Sequence, residues 1–138
     1  PKWWVMEESP FAAHLVEGPR FLDATDFGLY QKRRRLFAGN YPEVKPVRQC
    51  RRIHPAIRAQ EVKAFNKNMK HSKRAQSCCQ WFGRKLESWE LAALMGFPIA
   101  YRFHGNYKER CIQIGNAVCP PVAEAIAAHF PPRPSLIC

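Results

Sequence analysis

Apolar residues along this chain fall into short blocks separated by polar residues and prolines, and the early blocks predict strands. The run over residues 3–6 suits a strand buried on both faces, ending where two glutamates, a serine and a proline force a loop. Residues 21–24 and 31–38 are further strand candidates, and the polar loop between them makes a hairpin plausible. Residues 11–16 suit a short helix.

Helical patterns occupy the later part of the chain. Residues 87–95 place three apolar side chains at helical spacing and end at Gly96, which is a stop signal. Residues 120–129 open on two prolines, which favour the first turn of a helix. A weaker pattern predicts a helix over residues 56–69.

The length and composition of the chain limit its domain number and the length of its helices and strands. Its 138 residues suit one ordinary domain, and its twelve prolines predict short, often interrupted elements. No apolar run approaches the roughly eighteen residues that a membrane span needs. The chain begins at Pro1 with no initiator methionine, which suggests a piece of a longer protein.

Positive charge is concentrated in the middle of the chain. The net charge is +11, and residues 40–86 hold twelve of the 22 Lys and Arg residues but only two acidic ones. A local excess of that size favours a polyanion, because each cation set against a phosphate releases condensed counterions. Nucleic acid is therefore the first candidate partner, and the alternative is a solvated basic loop that only keeps the protein soluble.

The six cysteines form no Cys-x-x-Cys pair, so we expect them to be reduced and the protein to be intracellular, and cytoplasmic if the source is a prokaryote or phage. Cys50 with His54, or His71 with Cys78 or Cys79, could in principle hold zinc. Adjacent cysteines are poor geometry for a four-ligand site, so the sequence predicts no metal site.

The strand candidate over residues 31–38 carries a charged cluster, made of Gln31, Arg33 and Arg35 and called the fork below. Side chains alternate along a strand, so Gln31, Arg33 and Arg35 point to one face and Lys32, Arg34 and Leu36 point to the other. Two guanidiniums beside an amide can grip a phosphate or a base carbonyl, and they can also hold a carboxylate in place. The alternative is a basic edge strand that protects against aggregation.

Two other features carry possible chemistry. Glu7 closes the first apolar strand, where α/β sheets place their sites, although a loop carboxylate with no role is the commoner case. In residues 113–121, Gly115 permits a backbone conformation that other residues avoid, and the side chain of Asn116 can hydrogen-bond to nearby backbone groups. That stretch could equally be a tight strand-to-helix connection that binds nothing.

Four stretches of this chain, in this order, resemble the C-terminal motifs of DNA cytosine-C5 methyltransferases. Residues 4–7 are similar to the family's glutamate motif, and residues 21–37 to the stretch that ends in Gln-x-Arg-x-Arg. Residues 86–98 resemble the end of the target recognition region. Residues 113–121 match the last motif, Gln-Ile-Gly-Asn-Ala/Ser-Val-x-Pro-Pro, almost letter for letter.

This resemblance implies an α/β fold, namely the C-terminal part of a Rossmann-like S-adenosylmethionine-dependent methyltransferase with a small basic target-recognition lobe. Residues 1–39 would form C-terminal strands of the catalytic domain and residues 40–86 the basic lobe. Residues 87–138 would return to the catalytic domain with the helix that closes it.

The resemblance also implies roles for individual residues. Glu7 would hydrogen-bond N3 of a flipped cytosine, Arg35 would reach its O2, and Arg33 would support the active site and nearby phosphate. Asn116 and Val118 would help close the S-adenosylmethionine pocket. The implied reaction is attack of a cysteine thiolate on cytosine C6, methyl transfer to C5 and elimination, on a base swung out of the duplex.

The implied partner is double-stranded DNA, although an RNA cytosine would suit the same chemistry. The residues expected to contact the nucleic acid are Gln31, Arg48, Arg51, Arg52, Lys73 and Arg74.

The chain also departs from the family pattern. Its sequence contains neither the Pro-Cys pair of the nucleophile nor the glycine-rich turn of the methyl-donor site, and Glu8 and Ser9 replace the usual Asn-Val after the glutamate. We therefore expect an incomplete S-adenosylmethionine site and no activity from this chain alone. Two alternatives stay open: a non-catalytic DNA-binding module, and one chain of a split enzyme whose second polypeptide supplies the missing motifs.

Overall fold

The computed structural model describes residues 3–47, 50, 54–58 and 82–130. The strands in this part of the chain are β1 Val5–Glu8, β2 Arg20–Asp23, β3 Gln31–Lys32, β4 Arg34–Gly39 and β5 His54–Pro55. Two 3₁₀ helices cover Pro10–Leu15 and Ala24–Asp26. The α-helices are α1 Ser88–Leu94, α2 Tyr107–Asn116 and α3 Pro120–Ala127.

The main sheet has three antiparallel strands in the order β1-β4-β2. The predicted hairpin is confirmed, because β2 and β4 pair with Phe21 opposite Leu36. The predicted strand over residues 31–38 is divided at Arg33, since β3 pairs in parallel with β5 while β4 belongs to the main sheet. The described chain thus mixes strands and helices, as expected for its class.

The expectation that the first strand is buried on both faces is wrong for the described chain. Among the described strands, β1 is an edge strand that pairs with β4 alone. The apolar residues of the predicted strand are between about a third and a half exposed, namely Trp3, Trp4, Val5 and Met6. The central strand β4 takes the buried position instead, with Leu36, Phe37 and Ala38 all nearly inaccessible.

Local sequence signals set the ends of the helices. Glu87 caps α1 and forms a capping box with Glu90, and Gly96 ends the helix in the left-handed region at φ +85°. α3 begins at Pro120, as its sequence predicts. Residues 11–16, expected to form a short helix, instead lie mostly in a 3₁₀ helix over Pro10–Leu15.

α2 was not predicted. Asn106 caps it in a reciprocal capping box with Glu109, so a start signal is present in the sequence. Gly115 lies inside this helix and has no positive φ, so the expected unusual backbone is wrong, and residues 113–121 join two helices rather than a strand to a helix.

The core lies between the sheet and the three helices, and it draws on residues from Ala24 to Ile126. Its least exposed members are Ala24, Ile57, Leu86, Leu91, Met95, Cys111 and Ile114. Because the core needs all of these segments, the helices fix the position of β4 and of the side chains that β4 carries. The division into parts at residues 39 and 86 remains a prediction.

Two expectations concern parts that the structure describes incompletely or not at all. Residues 56–58 form no helix, and the rest of the predicted helix over 56–69 lies outside the described residues. Among the described helices, none is long and apolar enough to cross a membrane.

Candidate base-holding site

An ion pair joins the two strands that carry the predicted acid and guanidinium. Arg35 Nε lies 2.9 Å from Glu7 Oε1. Glu7 pairs with Phe37 across the antiparallel ladder, and Arg35 is two residues from Phe37 on the same face, so the two side chains are diagonal neighbours. About a quarter of each side chain is exposed, so the pair is open to solvent on one side.

Both groups of this ion pair keep free hydrogen-bonding capacity. Arg35 Nη1 donates to the carbonyl oxygen of Arg34, and Nη2 has no hydrogen-bond acceptor among the described residues. Glu7 Oε2 likewise accepts no hydrogen bond from the described part of the chain. A ligand beside the pair can therefore meet one acceptor and one donor at the same time.

Arg33 is buried and faces the helices rather than solvent. Its Nη2 donates to the carbonyl oxygens of Gly115 and Ala117, at 2.9 and 3.0 Å, and its Nη1 donates to that of Ile57 at 2.7 Å. The first two carbonyls belong to the last turn of α2 and to its C-cap residue, where helix carbonyls lack intrahelical partners and a cation is favoured. Burial, followed by the charge of Arg35, lowers the pKa of Arg33.

Gln31 is fully buried. Its amide nitrogen donates to the carbonyl oxygen of Leu94 at 3.1 Å and contacts the sulfur atoms of Met95 and Cys119. Its amide oxygen accepts from the backbone N–H of Ile57. The predicted contact of Gln31 with DNA stays a prediction, and in this structure its amide bonds protein groups.

The predicted alternation of the fork is confirmed for residues 31–35. Gln31 and Arg33 are buried and Arg35 is partly buried, whereas Lys32 and Arg34 are exposed. The alternation places the three predicted residues on the helix-facing side of the strands. Leu36 follows the alternation in direction but is buried on the other face.

An apolar cavity of about 260 Å³ lies beside Glu7. Phe37 and Val118 line it, and both also line a smaller space that reaches Arg33 and Arg35. The other lining residues are Val5, Ala123, Ile126, Ala127 and Phe130. The acid and the guanidinium therefore stand at the edge of an apolar wall that α3 provides.

The two residues predicted to contact the cofactor lie near one another in the chain but differ in surroundings. Val118 is half-buried in the wall just described, whereas Asn116 is exposed at the end of α2. Their predicted contacts with S-adenosylmethionine remain predictions.

Most of the predicted DNA contacts cannot be placed. Arg48, Arg51, Arg52, Lys73 and Arg74 lie outside the described residues. Over residues 3–47, 50, 54–58 and 82–130 there is no cluster of three or more His, Cys, Asp or Glu side chains that could hold a metal ion.

Sequence reasoning missed two residues that shape the site. Phe37 belongs to the core and lines both cavities, and a buried aromatic residue in a strand gives no signal of that role. Cys119 lies within the last motif and packs against Gln31 and Met95. Burial raises the pKa of the Cys119 thiol to about 11, so this cysteine is protonated and unreactive at neutral pH.

The strands and the site together place an acid and a guanidinium side by side at the edge of an apolar wall. Residues 38–131 match the family described as C-5 cytosine-specific DNA methylase. This match covers more than half of the chain. The chain therefore belongs to the C-5 cytosine-specific DNA methylase family, an enzyme family that acts on DNA.

Curated relatives agree over a shorter segment. The chain is 57% identical over 41 residues to DNA (cytosine-5)-methyltransferase 1 of Mus musculus, which is 30% of this chain and 2% of that protein. It is 54% identical over 43 residues to DNA (cytosine-5)-methyltransferase 3 of Zea mays, which is 31% of this chain and 5% of the relative. The matched segments are thus a small fraction of these relatives.

Proposed function

We propose that this chain is the C-terminal portion of a DNA (cytosine-5)-methyltransferase and that Glu7 and Arg35 hold a cytosine turned out of the duplex. The observation that carries the proposal is the ion pair between Arg35 Nε and Glu7 Oε1 at 2.9 Å, on two adjoining strands beside an apolar wall. Membership of the C-5 cytosine-specific DNA methylase family supports the class of reaction, and the ion pair marks the position at which the cytosine would bind.

The free atoms of the pair complement the edge of cytosine. The base offers acceptors at O2 and N3 and a donor at its exocyclic amine. Arg35 Nη2 can donate to O2, and Glu7 Oε2 can accept from the amine or from a proton carried on N3. A proton on N3 withdraws electrons from C6, which is the atom that a thiolate attacks in this chemistry.

Arg33 and Gln31 act in this proposal as positioning residues. Arg33, which lies between β3 and β4, bonds the end of α2, and Gln31 of β3 bonds the end of α1. Both also bond the backbone of Ile57, which lies within residues 40–86, the predicted basic lobe. A segment anchored at Gln31 and Arg33 holds the adjoining Arg35 in one position, as a preorganised site requires.

The apolar wall beside Glu7 suits one side of a nucleoside. Val118, Ala123 and Ile126 offer contacts to an uncharged flat group, and Asn116 is exposed at the end of α2, where its amide can reach a polar atom. These residues therefore fit part of an S-adenosylmethionine site, and the remainder would come from another segment. When bound, that cofactor supplies the methyl group.

The basic middle of the chain is proposed to face double-stranded DNA. Residues 40–86 carry twelve Lys and Arg residues against two acidic ones, which is a charge density suited to duplex phosphates. We propose that Arg48, Arg51, Arg52, Lys73 and Arg74 contact the DNA backbone or base edges. Binding through such contacts should weaken steeply as the salt concentration rises.

The nucleophile is proposed to come from elsewhere. The 138 residues contain no Pro-Cys pair, and Cys119, which lies within the site, is held in its thiol form by burial. A second segment or polypeptide would therefore provide the thiolate and the glycine-rich turn. By this proposal the chain alone transfers no methyl groups.

The proposal is tested by mixing the purified chain with a polypeptide of the same family that carries the Pro-Cys pair and the glycine-rich turn. Transfer of labelled methyl groups from S-adenosylmethionine to duplex DNA is then measured. We expect transfer by the mixture and none by either component.

Two other results would overturn the proposal. Salt-sensitive DNA binding with no transfer by any mixture would indicate a non-catalytic DNA-binding module. Transfer by the 138 residues alone would contradict the missing nucleophile. Arg35→Leu is the informative variant and Lys32→Leu its control, because Lys32 is an exposed cation on the opposite side of the neighbouring strand.

A further inference from the structure

A second cavity, of about 250 Å³, lies between α1, α2 and the corner that joins them. None of its lining residues lines the two spaces around Glu7 and Arg35. Most of its wall is aromatic or aliphatic, and the main contributors are Trp89, Phe97, Ile99, Tyr101 and Phe103. The proposed cytosine site makes no use of it.

The aromatic wall is built by a tight chain turn. After Gly96, the rings of Phe97, Tyr101 and Phe103 pack against one another with each pair of centroids 4.9 Å apart. On the facing side, α1 contributes Ala92 and Ala93, whose small side chains leave the space open. The cavity is thus formed by rings that already support one another.

Large apolar side chains beside this cavity are exposed to solvent. Ile99 is 95% exposed, Trp89 67% and Tyr101 54%. Grouped exposed apolar side chains of this size are uncommon on a surface without a partner, and Trp, Tyr and Arg are the residue types that dominate binding hot spots.

Two arginine side chains, Arg102 and Arg110, also line the cavity. Arg110 Nε donates to Ser88 Oγ and its Nη1 donates to the carbonyl oxygen of Gly105, both at 2.9 Å, which fixes the side chain in place. Arg110 nevertheless has no carboxylate partner in the described part of the chain, and Arg102 makes neither a hydrogen bond nor an ion pair with any described group. The cavity therefore combines apolar walls with unneutralised positive charge.

We propose that this cavity binds an acidic segment of a partner protein, which inserts one large apolar side chain and pairs its carboxylates with Arg102 and Arg110. The positive charge of Arg102 and Arg110 favours an acidic partner, because protein interfaces pair oppositely charged groups around an apolar centre. The volume and the rings argue for a single aromatic or branched aliphatic anchor.

A nucleobase is a poorer occupant than an apolar side chain. Its edges carry donors and acceptors that need partners once they leave water. In the lining, Ser88 Oγ already accepts from Arg110, and the side chains of Arg102 and Trp89 can only donate, so the donors on a base edge find few acceptors there. A phenylalanine or leucine side chain has no such requirement, so the cavity favours peptide over DNA.

The test uses the full 138-residue chain and a panel of short fluorescein-labelled peptides, each with one central phenylalanine, leucine or tryptophan flanked by glutamates. Fluorescence anisotropy measures binding. We expect at least one peptide to bind, replacement of its central residue by alanine to abolish binding, and replacement of its glutamates by lysines to do the same. Failure of the whole panel to bind overturns the proposal.

Variants of the chain locate the binding. Ile99→Glu and Arg102→Glu should each weaken the peptide roughly tenfold or more. Phe11→Glu and Lys108→Glu are matched controls, since Phe11 is 90% exposed and Lys108 is an exposed cation of α2, and neither lines the cavity. Equal losses from the controls would show nonspecific attraction and overturn the proposal.

A competition experiment separates peptide from nucleic acid. Single-stranded oligothymidylate should not displace the bound peptide. Displacement from the unsubstituted chain, together with direct oligothymidylate binding that Ile99→Glu weakens, would assign the cavity to a nucleobase and overturn the proposal. Because Ile99 lies outside the site of Glu7 and Arg35, the Ile99→Glu chain should still bind duplex DNA, so the outcome is independent of the proposed methyltransferase function.

Discussion

The guanidinium of Arg33 donates to the carbonyl oxygen of Gly115 at 2.9 Å, although the two residues are 82 positions apart in the sequence. Through Arg33 the strand region and the C-terminal end of α2 become one unit. Burying a cation is costly, but three carbonyl acceptors and the negative end of a helix offset that cost. This contact explains why a residue of the predicted fork points inward.

Replacing Arg33 with methionine should destabilise the fold by at least about 2 kcal/mol. The substitution keeps the apolar stem but leaves the carbonyl oxygens of Ile57, Gly115 and Ala117 buried without this donor. Urea unfolding followed by circular dichroism measures the free energy of unfolding. Arg34→Met is the control, since Arg34 is exposed and only stacks on the ring of Phe21, and it should cost less than about 1 kcal/mol. Equal unfolding midpoints for the two variants would refute the structural role of Arg33.

Replacing Glu7 with glutamine should reduce methyl transfer by about a hundredfold or more in the reconstituted mixture, without unfolding the chain. Glutamine keeps the size of the side chain but removes the charge that pairs with Arg35 and the carboxyl group proposed to handle a proton. The rate of labelled methyl transfer at saturating DNA measures the effect.

Glu8→Gln is the matched control for Glu7→Gln. Glu8 is exposed, and the hydrogen bond that the structure gives its side chain is the local one from the backbone N–H of Ser9. The control should retain nearly full activity. A similar loss in both variants would mean that negative charge in this strand matters in general, and the assignment of Glu7 would fail.

Several features of this fold could be predicted from the sequence because they depend on neighbouring residues. The alternation of Gln31 and Arg33 with exposed neighbours follows from strand geometry, and the end of α1 at Gly96 and the start of α3 at Pro120 follow from backbone preference. The ion pair of Glu7 with Arg35 agrees with the expectation that the guanidiniums of this stretch can hold a carboxylate in place.

Other features depend on contacts that the sequence does not display. β1 looked fully buried because its residues are apolar, but exposure is set by its place at the sheet edge. Gly115 looked like a turn residue, yet it lies inside α2, whose start signal at Asn106 and Glu109 is distant from it in the sequence. The acceptors of Arg33 are backbone atoms, and no side-chain pattern reveals them.

The thiol of Cys119 should resist modification in the folded protein. Burial raises its pKa from 9.0 to about 11, so very little thiolate exists at pH 8. Native chain and Cys119→Ala chain should therefore release the same amount of chromophore from a thiol-reactive disulfide reagent at pH 8, and should differ by one equivalent in denaturant. One equivalent of difference under native conditions would contradict the burial.

The same thiol makes a prediction about alkaline stability. A folded-state pKa above the unfolded value favours the protonated form in the fold, so its stabilisation is present below pH 9 and is lost as the pH rises toward 11. The native chain should lose more stability between these two pH values than Cys119→Ala. Parallel pH profiles of the free energy of unfolding would contradict this expectation.

The ion pair of Arg84 with Glu90 should stabilise the start of α1 at neutral pH and not in strong acid. Hydrogen bonds from Arg84 and from the Glu87 backbone lower the pKa of Glu90 from 4.5 to about 2. A depressed acid pKa gives stability that is present above pH 4.5 and is lost as the pH falls toward 2. Glu90→Gln should thus cost under about 1 kcal/mol at pH 7, because solvent screens an exposed pair, and nothing near pH 2. A cost that does not change with pH, in urea unfolding at both values, would show that the charge is unimportant.

The packing of the turn after α1 against α3 can be tested at Gly96 with a control glycine of nearly the same φ angle. Gly96 and Gly28 have φ angles of +85° and +86°, so both lie in the region that disfavours a residue with a Cβ. At Gly96 that Cβ would also lie 2.8 Å from Pro121 Cδ, whereas at Gly28 nothing lies within 4 Å. Gly28→Ala should therefore cost about 1 kcal/mol, the usual penalty for alanine in this conformation, and Gly96→Ala roughly 1 to 3 kcal/mol more because the first turn of α3 must shift. Thermal and urea unfolding measure both costs, and the difference reports the crowding of the added Cβ against Pro121 and Leu29. Equal losses of unfolding free energy in the two variants would mean that α3 does not pack closely against this turn. The apolar wall beside Glu7 would then be held in place by other contacts.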